Sequence, residues 1–272
     1  MSRIALSYGS QTGYPEGVAE ALHEKPTTPE VLWLNVSPSF QRLDQKLLLC
    51  LANRSRVAHW AYFQTPDEPS SLEVALTLLH DYVKGCDRPL HLVGHSTSGL
   101  LGLLYARQFP RRVKSLTVLS VGVNPAVDWK AHYYTQLELL PCTRSRVLTQ
   151  MVYTLFGRQQ VHALKGWMEL LEADLTQSFS LHSLMQRFSL FPASVPVPLL
   201  VCGGHHDAIV DPVQLQGWQP WLKPGDRMWL CPGGRHFFHA THPQRVANQI
   251  FSFWDTTDPQ ATPSICLQSA YS

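Results

Sequence analysis

The feature that most constrains the fold is a short apolar run that leads through a glycine- and serine-rich turn into a helical pattern. Residues 90–93 read LHLV, which is typical of a buried strand, and residues 100–108 have a helical pattern. Residues 94–99 between them read GHSTSG. In so tight a turn, the residues two before and two after the central serine must be small, and the serine side chain is exposed at the end of the sheet. The segment therefore predicts a strained Ser96 at a strand-to-helix turn.

Strands and helices alternate on both sides of this turn. Because the apolar runs are nearly continuous, each strand is expected to be buried on both faces, as in a parallel sheet. The fold class predicted is therefore α/β, with a mostly parallel sheet and helices on both of its faces. The predicted strands are 31–34, 56–62, 90–93, 113–121, 197–201 and 227–231, and the predicted helices of this core are 44–51, 71–83, 100–108 and 245–253.

The alternation stops in the middle of the chain. Residues 125–190 have helical patterns and no convincing strand, which predicts a helical cap inserted into the core. The core then comprises residues 1–124 and 191–254, and the polar residues 255–272 form a flexible C-terminal tail. A chain of 272 residues fits one domain with an insertion better than two independent domains. Most aromatic and methionine side chains of the cap are expected to pack its own core, and some to line an apolar pocket above the sheet.

Composition narrows the class of partner. The formal net charge is +2, which gives no electrostatic reason to expect a nucleic acid. Six scattered cysteines without a CxxC pair predict reduced thiols rather than a disulfide framework. The N-terminal residues show no secretory signal, and no run of about 18 apolar residues predicts a membrane span. We therefore expect a cytoplasmic protein, with peripheral membrane contact still open.

A serine hydroxyl needs a base, and the base needs a group that orients it. Asp207 follows the predicted strand 197–201, and His236 follows the strand 227–231. A Gly-Gly pair shortly before each residue allows a tight loop. Asp211 competes with Asp207, but it precedes a proline and is better interpreted as a helix N-cap.

Other residues in these segments leave alternatives open. Ser96 could cap the following helix, and Ser98 is a rival nucleophile, although the leucine two positions after it is too large for the turn. His95 and His91 are better explained by local packing than by catalysis. Four further histidines compete with His236 for the role of base. Together with His236 and Asp207 they could form a metal cluster, although each position has a simpler explanation. These are His205, His206, His239 and His242.

The segments GHSTSG, GGHHDAIVDP and PGGRHFFHATHPQRV resemble the α/β-hydrolase superfamily, and residues 90–119 are particularly similar to its ester hydrolases, thioesterases and related lyases. The resemblance covers residues 31 to 254. It implies that Ser96 is the nucleophile, Asp207 the acid and His236 the base. It also implies that the backbone N–H of Thr97 contributes to the oxyanion hole, and that neither a cofactor nor a metal is needed.

Two departures from the family pattern affect the front of the pocket. Family members usually carry His-Gly after the first core strand, whereas this chain has Asn35-Val36-Ser37. The second oxyanion donor is expected to be the N–H of Val36 or Ser37, and Asn35 could hold the loop through side-chain hydrogen bonds. The Asp-x-x-Gly-x-Gly loop that is common after the next strand is also absent.

These features together predict a serine hydrolase that cleaves a carboxylic ester or thioester through an acyl-Ser96 intermediate. The substrate is expected to be a small, lipophilic molecule with an apolar acyl or alcohol part. Two alternatives stay open: a lyase or C–C hydrolase that uses the same residues as a base, and a non-catalytic binding or assembly scaffold.

Overall fold

A seven-stranded, mostly parallel β-sheet forms the centre of the protein. The computed structural model describes residues 4–8, 28–63, 71–124, 128–178 and 193–257. The predicted tail beyond residue 257 and parts of the predicted cap, residues 125–127 and 179–190, lie outside the described residues. The strands are β1 Ile4–Tyr8, β2 Val31–Asn35, β3 Val57–Tyr62, β4 Leu90–His95, β5 Val113–Leu119, β6 Leu199–Gly204 and β7 Arg227–Cys231. The helices are α1 Gln41–Ala52, α2 Leu72–Val83, α3 Thr97–Gln108, α4 Trp129–Leu139, α5 Arg144–Phe156, α6 Val161–Gln177, α7 Pro212–Gln216, α8 Phe238–Thr241 and α9 Pro243–Thr257.

The strand order is β1-β3-β2-β4-β5-β6-β7, and every neighbouring pair except β1 and β3 is parallel. The predicted α/β class and parallel core are confirmed. The sequence patterns miss β1, which pairs antiparallel with β3 at the edge of the sheet. The parallel arrangement brings the carboxyl ends of β2, β4, β5, β6 and β7 to one edge, where the functional residues of such sheets lie.

Alternate residues of strands β2 to β7 pack on opposite faces of the sheet. In β2, Leu32 and Leu34 face the larger core cluster with α2 and α3, whereas Val31 and Trp33 face a second cluster with α1 and α9. All four are almost fully buried. Burial on both faces explains why the strands read as continuous apolar runs rather than as alternating ones.

In the part of the chain that the structure describes between β5 and β6, the helices are α4, α5 and α6. Asp128 caps the start of α4 by accepting a hydrogen bond from the Ala131 N–H. A buried ion pair joins α4 to α6, with 3.6 Å between Lys130 Nζ and Asp174 Oδ2. Of the helices that the structure describes, none is both long enough and apolar enough to cross a membrane.

Helix α3 begins at Thr97, three residues earlier than the apolar periodicity predicts. The first turn consists of small polar residues and a glycine, so it carries no apolar signal. The helix therefore follows Ser96 directly. Its first backbone N–H groups have no acceptor within the helix and point their partial positive charge toward the end of the sheet.

Candidate active site

Ser96 occupies a strained turn between β4 and α3. Its φ of 49° and ψ of −124° lie in a region that non-glycine residues rarely adopt. A Cβ at Gly94 would lie 2.7 Å from backbone atoms of Ser98 and Gly99, and a Cβ at Gly99 would lie 2.7 Å from the Gly94 carbonyl oxygen. The predicted need for small residues is confirmed at Gly94, and the structure adds Gly99 as its direct counterpart. This close contact holds Ser96 at the carboxyl edge of the sheet.

Asp207 and His236 form a buried pair at the same edge. His236 Nδ1 lies 3.0 Å from Asp207 Oδ2 and 3.2 Å from Oδ1, and both residues are almost fully buried. Two backbone N–H groups, of Ile209 and Val210, also donate to Oδ1 at 2.9 and 3.1 Å. With the Nδ1–H donated to the carboxylate, the other ring nitrogen of His236 carries the lone pair that a base needs.

The pKa of the Asp207 carboxyl lies below its ordinary value of 3.8. Burial alone raises this pKa, but the charge and N–H of His236 and the donors from Ile209 and Ser120 outweigh burial. Asp207 is therefore ionised across the neutral range and accepts the hydrogen bond from the His236 ring as a carboxylate.

Ser120 is a residue of this site that the sequence patterns do not identify. It follows β5 and has a φ of 52°, so that its backbone is also in the left-handed region. Its hydroxyl lies 2.8 Å from Asp207 Oδ2 and 3.1 Å from the His236 carbonyl oxygen. A serine after a strand is common, and only the folded structure shows that this one holds the carboxylate.

His236 and Ser96 line one cavity but are not hydrogen-bonded in this state. The Nε2 atom of His236 is buried and has no hydrogen-bond partner among the described residues. A hydrogen bond from the Ser96 hydroxyl to His236 Nε2, which the assignment of His236 as the base requires, is therefore not formed in this structure. Catalytic hydrogen bonds of this kind often tighten only when substrate binds.

The loop after β2 reaches the same cavity, and its two candidate oxyanion donors both have internal acceptors. The Val36 N–H donates to the Ser98 hydroxyl oxygen at 3.0 Å. The Ser37 N–H donates to Asn35 Oδ1 at 2.7 Å, so that Asn35 holds the loop through its side chain as expected. Asn35 is fixed in turn, because its Nδ2 donates to Asp44 Oδ2 at 3.1 Å.

Asp44 on α1 connects this loop to two further rings. Its Oδ2 accepts a hydrogen bond from Trp33 Nε1 at 2.9 Å, and its Oδ1 lies 3.1 Å from His239 Nε2. His239 is thus bound to Asp44 rather than to Asp207. His95 donates its Nε2–H to the His236 carbonyl oxygen at 2.9 Å, and its pKa lies well below 6.5, chiefly because burial disfavours its charged form.

The other competing residues lie elsewhere. Asp211 accepts a hydrogen bond from the Gln214 N–H at 2.8 Å and caps α7, which confirms its interpretation as an N-cap. His205 and His206 are exposed, and His242 contacts the Thr241 hydroxyl. Among the residues described, no group of three or more histidine, cysteine or acidic side chains is arranged to hold a metal ion.

The cavity beside Ser96 is small and is lined partly by helices α4 and α6. The space that the centre of a water-sized sphere can occupy is about 20 Å³, which is room for about one water molecule. Trp129 and Lys130 of α4 and Asp174 of α6 line it together with Phe40 and Phe237. Lys130 Nζ donates to the carbonyl oxygens of Asp174 and Ser178 at 2.7 and 2.9 Å. Its contacts therefore tie the start of α4 to the end of α6 at the wall of the cavity.

Comparisons with known proteins agree with this architecture. An uncharacterized protein of Synechocystis sp. is 46% identical over 239 residues, which is 88% of this chain and 95% of that protein. The structure of a thermophilic esterase has a TM-score of 0.66 at 15% identity, with 94% of each chain covered. A carboxylesterase from Bacillus subtilis has a TM-score of 0.64 at 16% identity, with 85% of each chain covered. The sequence model of the alpha/beta hydrolase family matches residues 30–249, and this chain therefore belongs to the alpha/beta hydrolase family.

Proposed function

We propose that the protein hydrolyses a carboxylic ester or thioester through an acyl-Ser96 intermediate. The observation that carries the proposal is the buried His236–Asp207 pair, which lies at the edge of the sheet beside a strained Ser96. Membership of the alpha/beta hydrolase family supports a hydrolase acting on a small molecule. The esterase and carboxylesterase of similar fold are compatible with an ester as the bond cleaved.

In the first half-reaction, the Ser96 oxygen attacks the carbonyl carbon, and the Ser96 proton passes to His236 Nε2. Asp207 stabilises the imidazolium ion, because its carboxylate accepts the Nδ1–H at 3.0 Å. The tetrahedral intermediate then collapses, and His236 returns the proton to the leaving alcohol or thiol. A water molecule repeats the sequence on the acyl-enzyme, releasing the acid and restoring Ser96.

The tetrahedral intermediate carries a negative charge on oxygen, and the N–H of Thr97 is the first donor to it. Thr97 begins α3, so its N–H is not used within the helix. Loss of one oxyanion donor costs about 3–4 kcal/mol of transition-state stabilisation, so a second donor is needed. We assign it to the N–H of Val36 or Ser37, released from Ser98 or Asn35 when substrate enters.

The inserted helices are assigned the role of a cap over the site. Trp129 and Tyr133 of α4 pack in the same buried cluster as Phe40 and Phe237 of the core. A space for one water molecule does not hold an acyl group, so the aromatic side chains at this wall must move when a substrate binds. Apolar walls of this kind favour a lipophilic acyl or alcohol part.

The proposal is tested with p-nitrophenyl esters from acetyl to palmitoyl and with a set of acyl-CoA thioesters. Ser96→Ala is expected to retain its circular dichroism spectrum and to lose turnover by several powers of ten, because the members of such a triad act as a unit. Ser145→Ala, at an exposed serine of α5, is the matched control and should match the unmodified protein. Hydrolysis that persists in Ser96→Ala, or no hydrolysis of any ester or thioester, would overturn the proposal.

A further inference from the structure

A second cavity lies next to the first and is much larger. The space that the centre of a water-sized sphere can occupy is about 390 Å³. Residues of helices α1, α5 and α6 and of the segment 233–242 line it. We call it the basic cavity and define it by Arg42, Lys46, Phe156, Trp167, Arg235 and Phe237.

Three cationic side chains line the basic cavity. Arg42 and Lys46 lie four residues apart on α1, so they share one face of that helix, where like charges repel each other. Arg235 reaches the cavity from the loop between β7 and α8, against Gly157. Within the described ranges, no carboxylate lines the cavity, and none of these three cations is paired with one.

Apolar surface lies directly beside these charges. Phe156 stacks on Trp167, with 4.2 Å between ring centroids, and on Phe237, with 4.9 Å. The guanidinium of Arg42 lies over the Trp167 ring at 5.4 Å from its centroid. A ligand that suits this cavity therefore has both an anionic group and an apolar chain or ring.

Phe237 lines both cavities, and it is the residue that follows His236 in the chain. It is almost fully buried, and its ring packs against both Phe40 and Phe156. Since Phe237 borders both spaces, joining the basic cavity to the space beside Ser96 requires this side chain to move. The larger cavity can then hold the part of a substrate for which the smaller one has no room.

We infer that the substrate is an ester or thioester with a carboxylate at the far end of its apolar part, and that this carboxylate lies in the basic cavity. This inference rests on the hydrolase function proposed above and specifies its substrate class. The ligand is a soluble amphiphilic anion. A membrane surface with anionic headgroups would also attract these cations, and the binding test below distinguishes it from a soluble ligand.

The kinetic test compares mono-p-nitrophenyl suberate with p-nitrophenyl octanoate, which have acyl chains of the same length and differ in the terminal carboxylate. The ratio of their kcat/KM values should favour the suberate ester. Lys46→Gln and Arg235→Gln should each lower that ratio up to about five-fold, the range for exposed ion pairs, and added salt should lower it further. Arg111→Gln, at an exposed arginine near the amino end of β5, is the control and should leave it unchanged.

A binding test separates this inference from the proposed function. Ser96→Ala, which cannot turn over, should bind octanoate more tightly than octanol by calorimetry, and the two glutamine substitutions should remove that preference. Hydrolysis of both esters at equal efficiency would overturn the inference alone. Octanoate binding without any hydrolysis would overturn the substrate assignment together with the proposed function. Binding to phosphatidylglycerol vesicles that weakens in Lys46→Gln and Arg235→Gln, with no preference for octanoate over octanol, would show instead that these cations bind a membrane surface.

Discussion

Replacing Asp207 by asparagine should abolish most of the activity for a reason that the hydrogen bonds around it specify. Oδ1 faces two backbone N–H donors, of Ile209 and Val210, while Oδ2 faces the Ser120 hydroxyl and His236 Nδ1. An asparagine must place its oxygen toward the two N–H groups, because its NH₂ would meet two donors there. The NH₂ then lies beside His236 Nδ1 and donates to it.

The consequence is a histidine with its proton on the wrong nitrogen. When Nδ1 accepts from the asparagine, Nε2 carries the proton and cannot take another from Ser96. Loss of the correct tautomer costs about ten-thousand-fold in kcat in serine hydrolases with this triad. This factor corresponds to about 5 kcal/mol of activation free energy. The assay is kcat on p-nitrophenyl acetate, with the folded state checked by thermal unfolding.

Asp211→Asn is the matched control for this substitution. Asp211 lies four residues away and caps α7 through a hydrogen bond from the Gln214 N–H. Asparagine caps helices about as well as aspartate, so activity should stay within about three-fold of the unmodified protein. If Asp211→Asn were the inactive variant and Asp207→Asn the active one, the acid of the triad would be wrongly assigned.

Three further substitutions test individual parts of the site. Ser120→Ala should lower kcat about ten-fold and the free energy of unfolding by about 1–2 kcal/mol, because the buried Asp207 carboxylate loses a hydrogen-bond donor. Unchanged kinetics would show that the Ser120 hydroxyl does not position Asp207. Ser98→Ala should change kcat less than ten-fold, because it only frees the Val36 N–H, whereas a hundred-fold loss would make the Ser98 hydroxyl itself the oxyanion donor. Burial lowers the pKa of His59 below its ordinary value of 6.5, so at lower pH the unfolded chain binds more protons than the folded one. The free energy of unfolding should therefore fall by up to about 1.4 kcal/mol for each unit that the pH drops below 6.5. In urea unfolding at several pH values, His59→Gln should flatten this dependence and the exposed control His162→Gln should not; a steeper or unchanged slope in His59→Gln would contradict the assignment.

The sequence predicts the parts of this site that depend on local geometry. The turn around Ser96 is recognisable because Gly94 and the residues after it satisfy a steric requirement within one short segment. Asp207 and His236 are recognisable because each follows a strand end at the same edge of the sheet. The strand β1 is missed because Ile4–Tyr8 is short and includes a polar residue, whereas the inner strands are recognised as nearly continuous apolar runs.

The connections between segments could not be predicted in the same way. Ser120 and Asp44 each act on residues far from them in sequence, and nothing in their own neighbourhoods distinguishes them from ordinary polar residues. His239 has the same local context as His236, and only the position of α1 places it on Asp44 instead. The engagement of the Val36 N–H by Ser98 depends on how the loop after β2 lies against α3. Such contacts are properties of packing, which residue patterns do not encode.

The most direct test of the proposed chemistry is a trapped acyl-enzyme. The protein is mixed with p-nitrophenyl acetate, quenched in acid within the first turnovers, digested and analysed by tandem mass spectrometry. We predict one added acetyl group on Ser96 of the unmodified protein and none on the corresponding peptide of Ser96→Ala. Product release with no acetyl group on Ser96, or an acetyl group on Ser98 instead, would contradict the proposed mechanism.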